Sequence, residues 1–273
     1  MSGWLFFLYD ILIKFATIAE DHGDPGFATY CREQAIHLRE NIRMNAWDGN
    51  WYRRAYFDDG TPLGSSQNKE CTIDALPQSW SVISQAGDPE YSRRGMEEVN
   101  RRLVDRKLKM IRLFTPSFDT FLPSPGYIKG YVPGVRENGG QYTHGVIWTI
   151  LAFALMGETD TAWELFDLLN PVHHGSTPDE VDIYKVEPYV VVADVYSAAQ
   201  HPGRGGWSWY TGSSAWLYRV LVETLLGINR KGDQLELTPP GCVPVGMSIP
   251  FLTDTMTLST SSGSNASKTL PLR

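Results

Sequence analysis

Apolar residues recur at intervals of three and four positions in several long stretches, and this spacing predicts amphipathic helices. Short breaks such as DHGDPG at 21–26 and GDP at 87–89 separate these stretches into consecutive pairs. The segment YKVEPYVVVADVYSAA at 184–199 is also predicted to be helical. The remaining predicted helices are 3–20, 27–47, 73–87, 89–106, 142–157, 159–170 and 213–227.

Paired helices joined by long loops are typical of an α/α toroid, in which inner and outer helices alternate around a central pit. The connection at 110–141 is long and rich in Pro and Gly, and loops of this kind inside a compact domain are usually functional. LELTPP at 235–240 predicts the start of a β segment. We therefore predict a mainly α fold with a helical domain at 1–234. Residues 235–273 are predicted to be the remnant of a β domain with a disordered, Ser/Thr-rich tail.

The net charge and the cysteines of the chain argue against some classes of partner and site. The 273-residue chain has a net charge of -7, which argues against nucleic acid as a partner. Its three cysteines are isolated and lack metal-ligand spacing, as expected in a reduced, cytoplasmic protein. Asp10 and Lys14 interrupt the apolar run near the start, so we predict no export signal and no membrane contact.

Two glycine-rich stretches lead directly into apolar helices, and both contain candidate chemistry. GRGGWSWYTGSSAW at 203–216 places Thr211 and bare backbone at a helix start, where N–H groups bind anions. The alternative is that Thr211 or Ser213 is an ordinary N-cap. VRENGGQYTHGVIW at 135–148 places Arg136 and Glu137 before two glycines, and His144 on the first helical turn. A lone histidine there is more often a core residue than a ligand.

Other candidates carry weaker signals. Glu187 and Asp194 lie among apolar neighbours, and the pattern favours an ion pair of Glu187 with Lys185 or an arginine over catalysis. WDGNWYRRAYFDDG at 47–60 combines aromatic rings with carboxylates, as a sugar site or a turn-rich hairpin would. Two adjacent histidines at 173–174 are weak evidence for a metal site, so we assign no metal.

Five sequence segments, which follow one another between about residues 46 and 240 and are quoted at the end of this paragraph, resemble the signature blocks of glycoside hydrolase family 94, the inverting β-glucoside phosphorylases. They are most similar to the C-terminal phosphorylase-like region of cyclic β-1,2-glucan synthases. The resemblance implies a partial (α/α)6 barrel. The blocks are WYRRAYFDDGTPLGS, IDALPQSWSVISQAGDPE, PGYIKGYVPGVRENGGQYTHG, YKVEPYVVVADVYSA and GRGGWSWYTGSSAWLYR.

The resemblance also implies a reaction and a site. Inorganic phosphate, as co-substrate and without a cofactor, attacks the anomeric carbon of a β-glucan or oligosaccharide, while a carboxylic acid protonates the leaving oxygen. The family's general acid lies in a DWNDG-type motif expected upstream of Met1, so we assign no catalytic residue and expect this chain alone to be inactive. A homodimer is also compatible with the resemblance. The resemblance assigns phosphate binding to His144, Thr211 and Gly212. It assigns substrate binding to Arg136, Glu137, Tyr142 and Tyr210.

Two alternatives remain open at this point. An inverting α/α-barrel hydrolase would use Glu137 or Glu187 as its acid and another carboxylate to activate water, with the two carboxyl groups about 6.5 to 9.5 Å apart. A carbohydrate-binding remnant without catalysis would follow from the expected lack of the general acid.

Overall fold

Helices dominate the computed structural model, which describes residues 2–232, 234–237 and 268–271. Within these residues a π-helical turn, Val220–Leu225, continues the last helix, and short 3-10 helices cover Gly126–Gly130 and Pro171–His174. The α-helices are α1 (Ser2–Asp21), α2 (Pro25–Asn45), α3 (Ala75–Ile83), α4 (Pro89–Arg102), α5 (Thr143–Leu155), α6 (Thr159–Leu169), α7 (Pro178–Tyr184) and α8 (Thr211–Arg219).

Aspartate side chains explain why three helices begin where the sequence breaks. Asp24 accepts a hydrogen bond from the backbone N–H of Phe27 at the start of α2. Asp74 caps α3 in the same way, and Asp88 caps α4 through two backbone N–H groups. Each side chain satisfies N–H groups that have no partner inside the helix.

The helices alternate between an inner and an outer row. Along the inner row α1 contacts α3, α3 contacts α5, and α5 contacts α8. In the outer row α2 packs on α1, α4 on α3, and α6 on α5. Helix α5 is the centre of this arc, since Val146, Ile147 and Ile150 are fully buried in the largest apolar cluster. The alternation confirms the predicted mainly α fold and gives an arc of an α/α barrel.

The predicted helix at 184–199 is wrong. Lys185 ends α7 in a left-handed conformation with φ of 58°, and the chain then runs without helix to strand β8 (Asp194–Val195). Strand β8 pairs antiparallel with β7 (Gln141–Tyr142). Pro188 and three consecutive valines oppose a helix here, and pairing with a distant strand satisfies the extended backbone.

The other strands are short. Strands β1 (Ala55–Tyr56) and β2 (Pro62–Leu63) form a hairpin. The pairs β3–β6 and β4–β5 lie at the ends of helices. The residue ranges of these four strands are β3 (Ile73–Asp74), β4 (Val104–Asp105), β5 (Met110–Ile111) and β6 (Phe114–Thr115).

Near the end of the chain, β10 (Gln234–Leu237) is the centre of a three-stranded antiparallel sheet with β9 (Ile228–Lys231) and β11 (Lys268–Pro271). The predicted disordered tail covers 247–273, and most of it lies outside the described residues. At Lys268–Pro271 the prediction is wrong, because these residues form strand β11. The division into domains at residue 234 stays a prediction. Within the described part of the chain, every helix is too short or too polar to cross a bilayer.

Candidate active site at the starts of two inner helices

The starts of α5 and α8 lie side by side and in register. Tyr142 and Tyr210 are the residues that precede the two helices, and their hydroxyl groups are 2.9 Å apart. Two residues further on, a Cβ atom built on Gly212 would lie 3.3 Å from Nδ1 of His144. The Cα atom of Gly212, in the first turn of α8, therefore faces the imidazole. The structure thus brings together four of the residues assigned from the sequence.

No side chain caps either helix. Thr211 is exposed in the first turn of α8, and the hydroxyl groups of Ser213 and Ser214 donate to the carbonyl oxygen of Tyr210. The N-cap interpretation of Thr211 and Ser213 is therefore wrong. The first backbone N–H groups of α8 have no side-chain acceptor, which is the arrangement that binds an anion.

His144 is half-buried between aromatic rings. Its ring centroid lies 5.0 Å from that of Trp148 and 6.4 Å from that of Trp216. Burial lowers the pKa of His144 below its ordinary value. At neutral pH the imidazole is thus uncharged, and one ring nitrogen is able to donate a hydrogen bond.

An aromatic pit of about 360 Å3 opens beside His144. All four inner helices contribute to its wall, as the central pit of a toroid requires. Arg54 and Asp74 are the charged side chains of this wall in the part of the chain that the structure describes. The pit is lined by Gly3, Trp4, Phe7, Arg54, Asp74, Leu76, Pro77, Trp80, His144, Trp148 and Trp216.

The Arg54–Asp74 ion pair was missed by the sequence reasoning. Asp74 is fully buried and Arg54 nearly so, and the guanidinium lies 5.4 Å from the ring centroid of Phe114. Burial raises the pKa of Asp74, and Arg54 opposes that rise. The tandem arginines in WYRRAYF were a usable signal, but a partner 20 positions away is not visible in the sequence.

Arg136 and Glu137 lie on the segment that precedes α5. The Arg136 guanidinium is 4.7 Å from the ring centroid of Trp207 and 5.7 Å from that of Tyr131. Oxygen Oε2 of Glu137 is buried and has no hydrogen-bond partner among the described residues. Nitrogen Nε1 of Trp148, in the pit wall, is likewise buried without a hydrogen-bond partner among the described residues. Buried polar atoms normally have a hydrogen-bond partner. Glu137 Oε2 and Trp148 Nε1 are therefore suited to hydrogen bonds with the hydroxyl groups of a ligand.

Asp194 joins the two segments that precede α5 and α8. Its buried carboxylate accepts the backbone N–H of Arg136 at 3.0 Å, and burial raises its pKa. A Cβ atom on Gly206 would lie 2.1 Å from the Asp194 carboxylate, so only glycine fits there. The alternative of an ion pair between Glu187 and Lys185 is not realised in the described part of the chain.

The candidates at 47–60 and 173–174 have structural roles. Residues 47–60 run into the β1–β2 hairpin, where buried Trp51 donates to the carbonyl oxygen of Gly64. The Trp47 ring stacks on Tyr91 with centroids 4.3 Å apart. His174 stacks on Tyr184. The described residues contain no group of three or more His, Cys, Asp or Glu side chains that could hold a metal ion.

Residues 1–227 match the family of the glycosyl hydrolase 94 superfamily, catalytic domain. The chain is 48% identical over 239 residues to a cyclic beta-(1,2)-glucan synthase of Rhizobium meliloti, covering 87% of the chain and 8% of that relative. It is 30% identical to a solabiose phosphorylase of Paenibacillus borealis, covering 87% of the chain and 30% of the relative. An N,N'-diacetylchitobiose phosphorylase of Vibrio furnissii is 28% identical, with 87% and 29% covered.

The chain thus spans between 8% and 30% of the length of these curated relatives. Among solved structures, a sialidase aligns with a TM-score of 0.55 and 11% identity, over 87% of this chain and 21% of that one. At this identity the similarity concerns the fold alone.

Proposed function

The chain belongs to the glycosyl hydrolase 94 superfamily, and we propose that it forms the phosphate-binding side of a β-glucoside phosphorylase site, together with part of the sugar site. Two relatives that are named phosphorylases support this reaction class. The similarity to a cyclic beta-(1,2)-glucan synthase favours a β-1,2-linked glucan as the sugar.

The proposed reaction is an inverting phosphorolysis. A phosphate oxygen forms a bond to the anomeric carbon while the glycosidic C–O bond breaks on the opposite face, and a carboxylic acid gives its proton to the leaving oxygen. The products are an α-sugar 1-phosphate and the shortened glucan. Phosphate replaces the water of an inverting hydrolase, so one catalytic carboxyl group is sufficient.

The single observation that carries the phosphate assignment is that Gly212, in the first turn of α8, faces His144. A Cβ atom built on Gly212 would lie 3.3 Å from Nδ1 of His144, so the first turn of α8 lies beside the imidazole. The α8 dipole, the Thr211 hydroxyl and a neutral His144 then supply donors to one anion. We assign phosphate to His144, Thr211 and Gly212 on this basis.

The sugar assignment rests on the pit and its rim. Aromatic side chains line the pit, and indole rings offer flat apolar faces to a pyranose ring. Tyr142 and Tyr210 span the rim through their hydroxyl groups. Arg136 is held between two rings, and Glu137 has an unpaired oxygen for a sugar hydroxyl.

Phosphate binding is the first readout, because it tests the phosphate assignment independently of the general acid. In 31P NMR titrations we expect inorganic phosphate to broaden with the wild-type protein and not with His144→Ala. Activity is measured with β-1,2-linked gluco-oligosaccharides and the protein that includes the acid-bearing segment. Sugar 1-phosphate should form only when phosphate is present. Reducing sugar released without phosphate would contradict phosphorolysis.

An inverting hydrolase is the second candidate, and the unpaired, buried Oε2 of Glu137 is the observation that favours it. Glu187 would be its second carboxylate. In that case Glu137→Gln abolishes phosphate-independent hydrolysis, whereas under phosphorolysis it weakens sugar binding and leaves phosphate titration unchanged.

A further inference from the structure

A second cavity, of about 510 Å3, lies between the β4–β5 turn, α7 and the loop that begins at His201. We call it the α7 cleft. It shares no lining residue with the aromatic pit, so it is a separate site within the described residues. None of the residues assigned to phosphate or sugar lies in it.

The α7 cleft carries an excess of positive charge in an acidic protein. Its wall contains four cationic side chains, from Lys107, Lys109, Lys185 and Arg204, and two carboxylates, from Glu180 and Asp182. Lys109 pairs with Glu180. Lys107, Lys185 and Arg204 form no ion pair with any described residue. With a net charge of -7 for the whole chain, this local excess is not explained by composition.

Two of these lysines occupy backbone conformations that disfavour a side chain. Lys109 has φ of 50° and Lys185 has φ of 58°, where glycine is the usual residue. A residue with a side chain destabilises the fold in such a conformation. Both residues place their side chains on the wall of the same cavity. The Lys109 ammonium is bound by Glu180 and by the carbonyl oxygen of His173. The Lys185 ammonium forms no ion pair with a described residue, so a function in the cleft accounts for lysine at position 185.

We propose that the α7 cleft binds a phosphorylated sugar. Lys107, Lys185 and Arg204 supply charge-assisted hydrogen bonds to the phosphate group. Asp182, which also lines the cleft, is the acceptor for a sugar hydroxyl group, a role that inorganic phosphate alone would not use. The cavity volume is sufficient for one monosaccharide phosphate.

Backbone hydrogen bonds fix residues 204 and 205, which lie between the cleft and the start of α8. The N–H of Gly205 donates to the carbonyl oxygen of Tyr184 at the end of α7, at 2.9 Å. The N–H of Tyr196 donates to the carbonyl oxygen of Arg204 at 2.8 Å. From Arg204 the chain runs directly on to Thr211. If the proposed phosphate site is correct, occupancy of the cleft therefore stabilises the segment that presents that site.

The test is calorimetric titration with glucose 6-phosphate at low ionic strength, using the double variant Lys185→Ala/Arg204→Ala. Both side chains are exposed, so the fold should be kept. We expect the affinity to fall by about tenfold or more, since two charge-assisted contacts are lost. Lys69→Ala, which removes an exposed lysine outside the cleft, is the matched control and should retain the wild-type affinity.

His144→Ala separates this proposal from the proposed function. It removes the imidazole assigned to phosphate binding in the pit, and the affinity of the cleft for glucose 6-phosphate should stay within about twofold of the wild-type value. Three results would overturn the inference: no measurable binding to the wild type, loss of binding in His144→Ala, or unchanged binding in the double variant. Equal affinity for inorganic phosphate would overturn the assignment to a sugar phosphate.

Discussion

The segments that precede α5 and α8 are both rich in glycine, yet they differ in burial. In the first, residues 134–142, Asn138 is fully buried and bonds through its side-chain amide to both the N–H and the carbonyl oxygen of Phe118. In the second, residues 203–210, Trp207 is 58% exposed and Trp209 is 68% exposed. Similar composition thus serves two different physical roles.

In the proposed phosphate site, one segment contributes a side chain and the other contributes backbone. The buried segment fixes the direction from which α5 begins, and with it the position of His144. The exposed segment presents aromatic faces, and we propose that its helix contributes backbone N–H groups at Gly212. Asp194 joins the two by accepting the N–H of Arg136 while Gly206 packs against its carboxylate.

The variant with the largest expected effect on the difference between the two segments is Gly139→Ala in the buried segment. Gly139 has φ of +79°, and a Cβ atom there would lie 2.1 Å from the Ser117 hydroxyl oxygen. Backbone strain and overpacking together should lower the free energy of unfolding by about 3 kcal/mol. The measurement is urea unfolding followed by circular dichroism.

The matched control for that change is Gly60→Ala at the β1–β2 turn. Gly60 has φ of +85° but no atom within 4 Å of the added Cβ position. It should lose only the strain contribution, about 1 kcal/mol. Equal losses at the two positions would show that burial of the pre-α5 segment is not what distinguishes it.

Gly212→Ala tests the α8 side of the comparison. The added methyl group would lie 3.3 Å from Nδ1 of His144, inside the proposed phosphate site. We expect phosphate affinity to fall by about tenfold, or about 1.4 kcal/mol, with little change in stability because alanine favours a helix. Phosphate titration followed by 31P NMR measures this.

Gly26→Ala is the control, since Gly26 holds the same second helical position in α2. Its added Cβ would meet only Asp24, at an ordinary 3.6 Å. Phosphate affinity should not change. An equal loss of phosphate affinity in both variants would remove Gly212 from the site.

The Tyr142–Tyr210 contact links the two segments directly, and a double-mutant cycle with Tyr142→Phe and Tyr210→Phe measures that link. The hydroxyl groups are 2.9 Å apart and part-buried. We expect a coupling of about 1 kcal/mol in unfolding free energy, typical of one neutral hydrogen bond. Strictly additive losses would mean that the segments are positioned independently.

The smallest expected effect is the pH dependence contributed by His144. Burial lowers its pKa, so below its ordinary value of about 6.5 the folded protein binds fewer protons than the unfolded chain. Stability present above that pH is lost as the pH falls through the lowered pKa. His144→Gln should remove this dependence, and urea unfolding between pH 5 and pH 8 checks it. Parallel pH profiles for the two proteins would exclude a buried, neutral His144.

The sequence by itself determined the helices and their pairing. Apolar spacing located α1 to α6 and α8, since each of these helices buries one face in its own stretch of chain. Asp24 and Asp88 fixed helix starts through local hydrogen bonds. A second local signal, a glycine-rich stretch followed by an apolar helix, was sufficient to place His144 and Thr211 at helix starts.

Only the tertiary structure decided how these pieces meet. Residues 184–199 have apolar spacing that suits a helix, but pairing of β8 with β7, about 53 positions earlier in the chain, makes the segment end in a strand. The Arg54–Asp74 pair and the contact of Gly212 with His144 likewise join residues far apart in sequence. Local propensity is set by neighbours along the chain, whereas pairing and burial depend on atoms that only folding brings together.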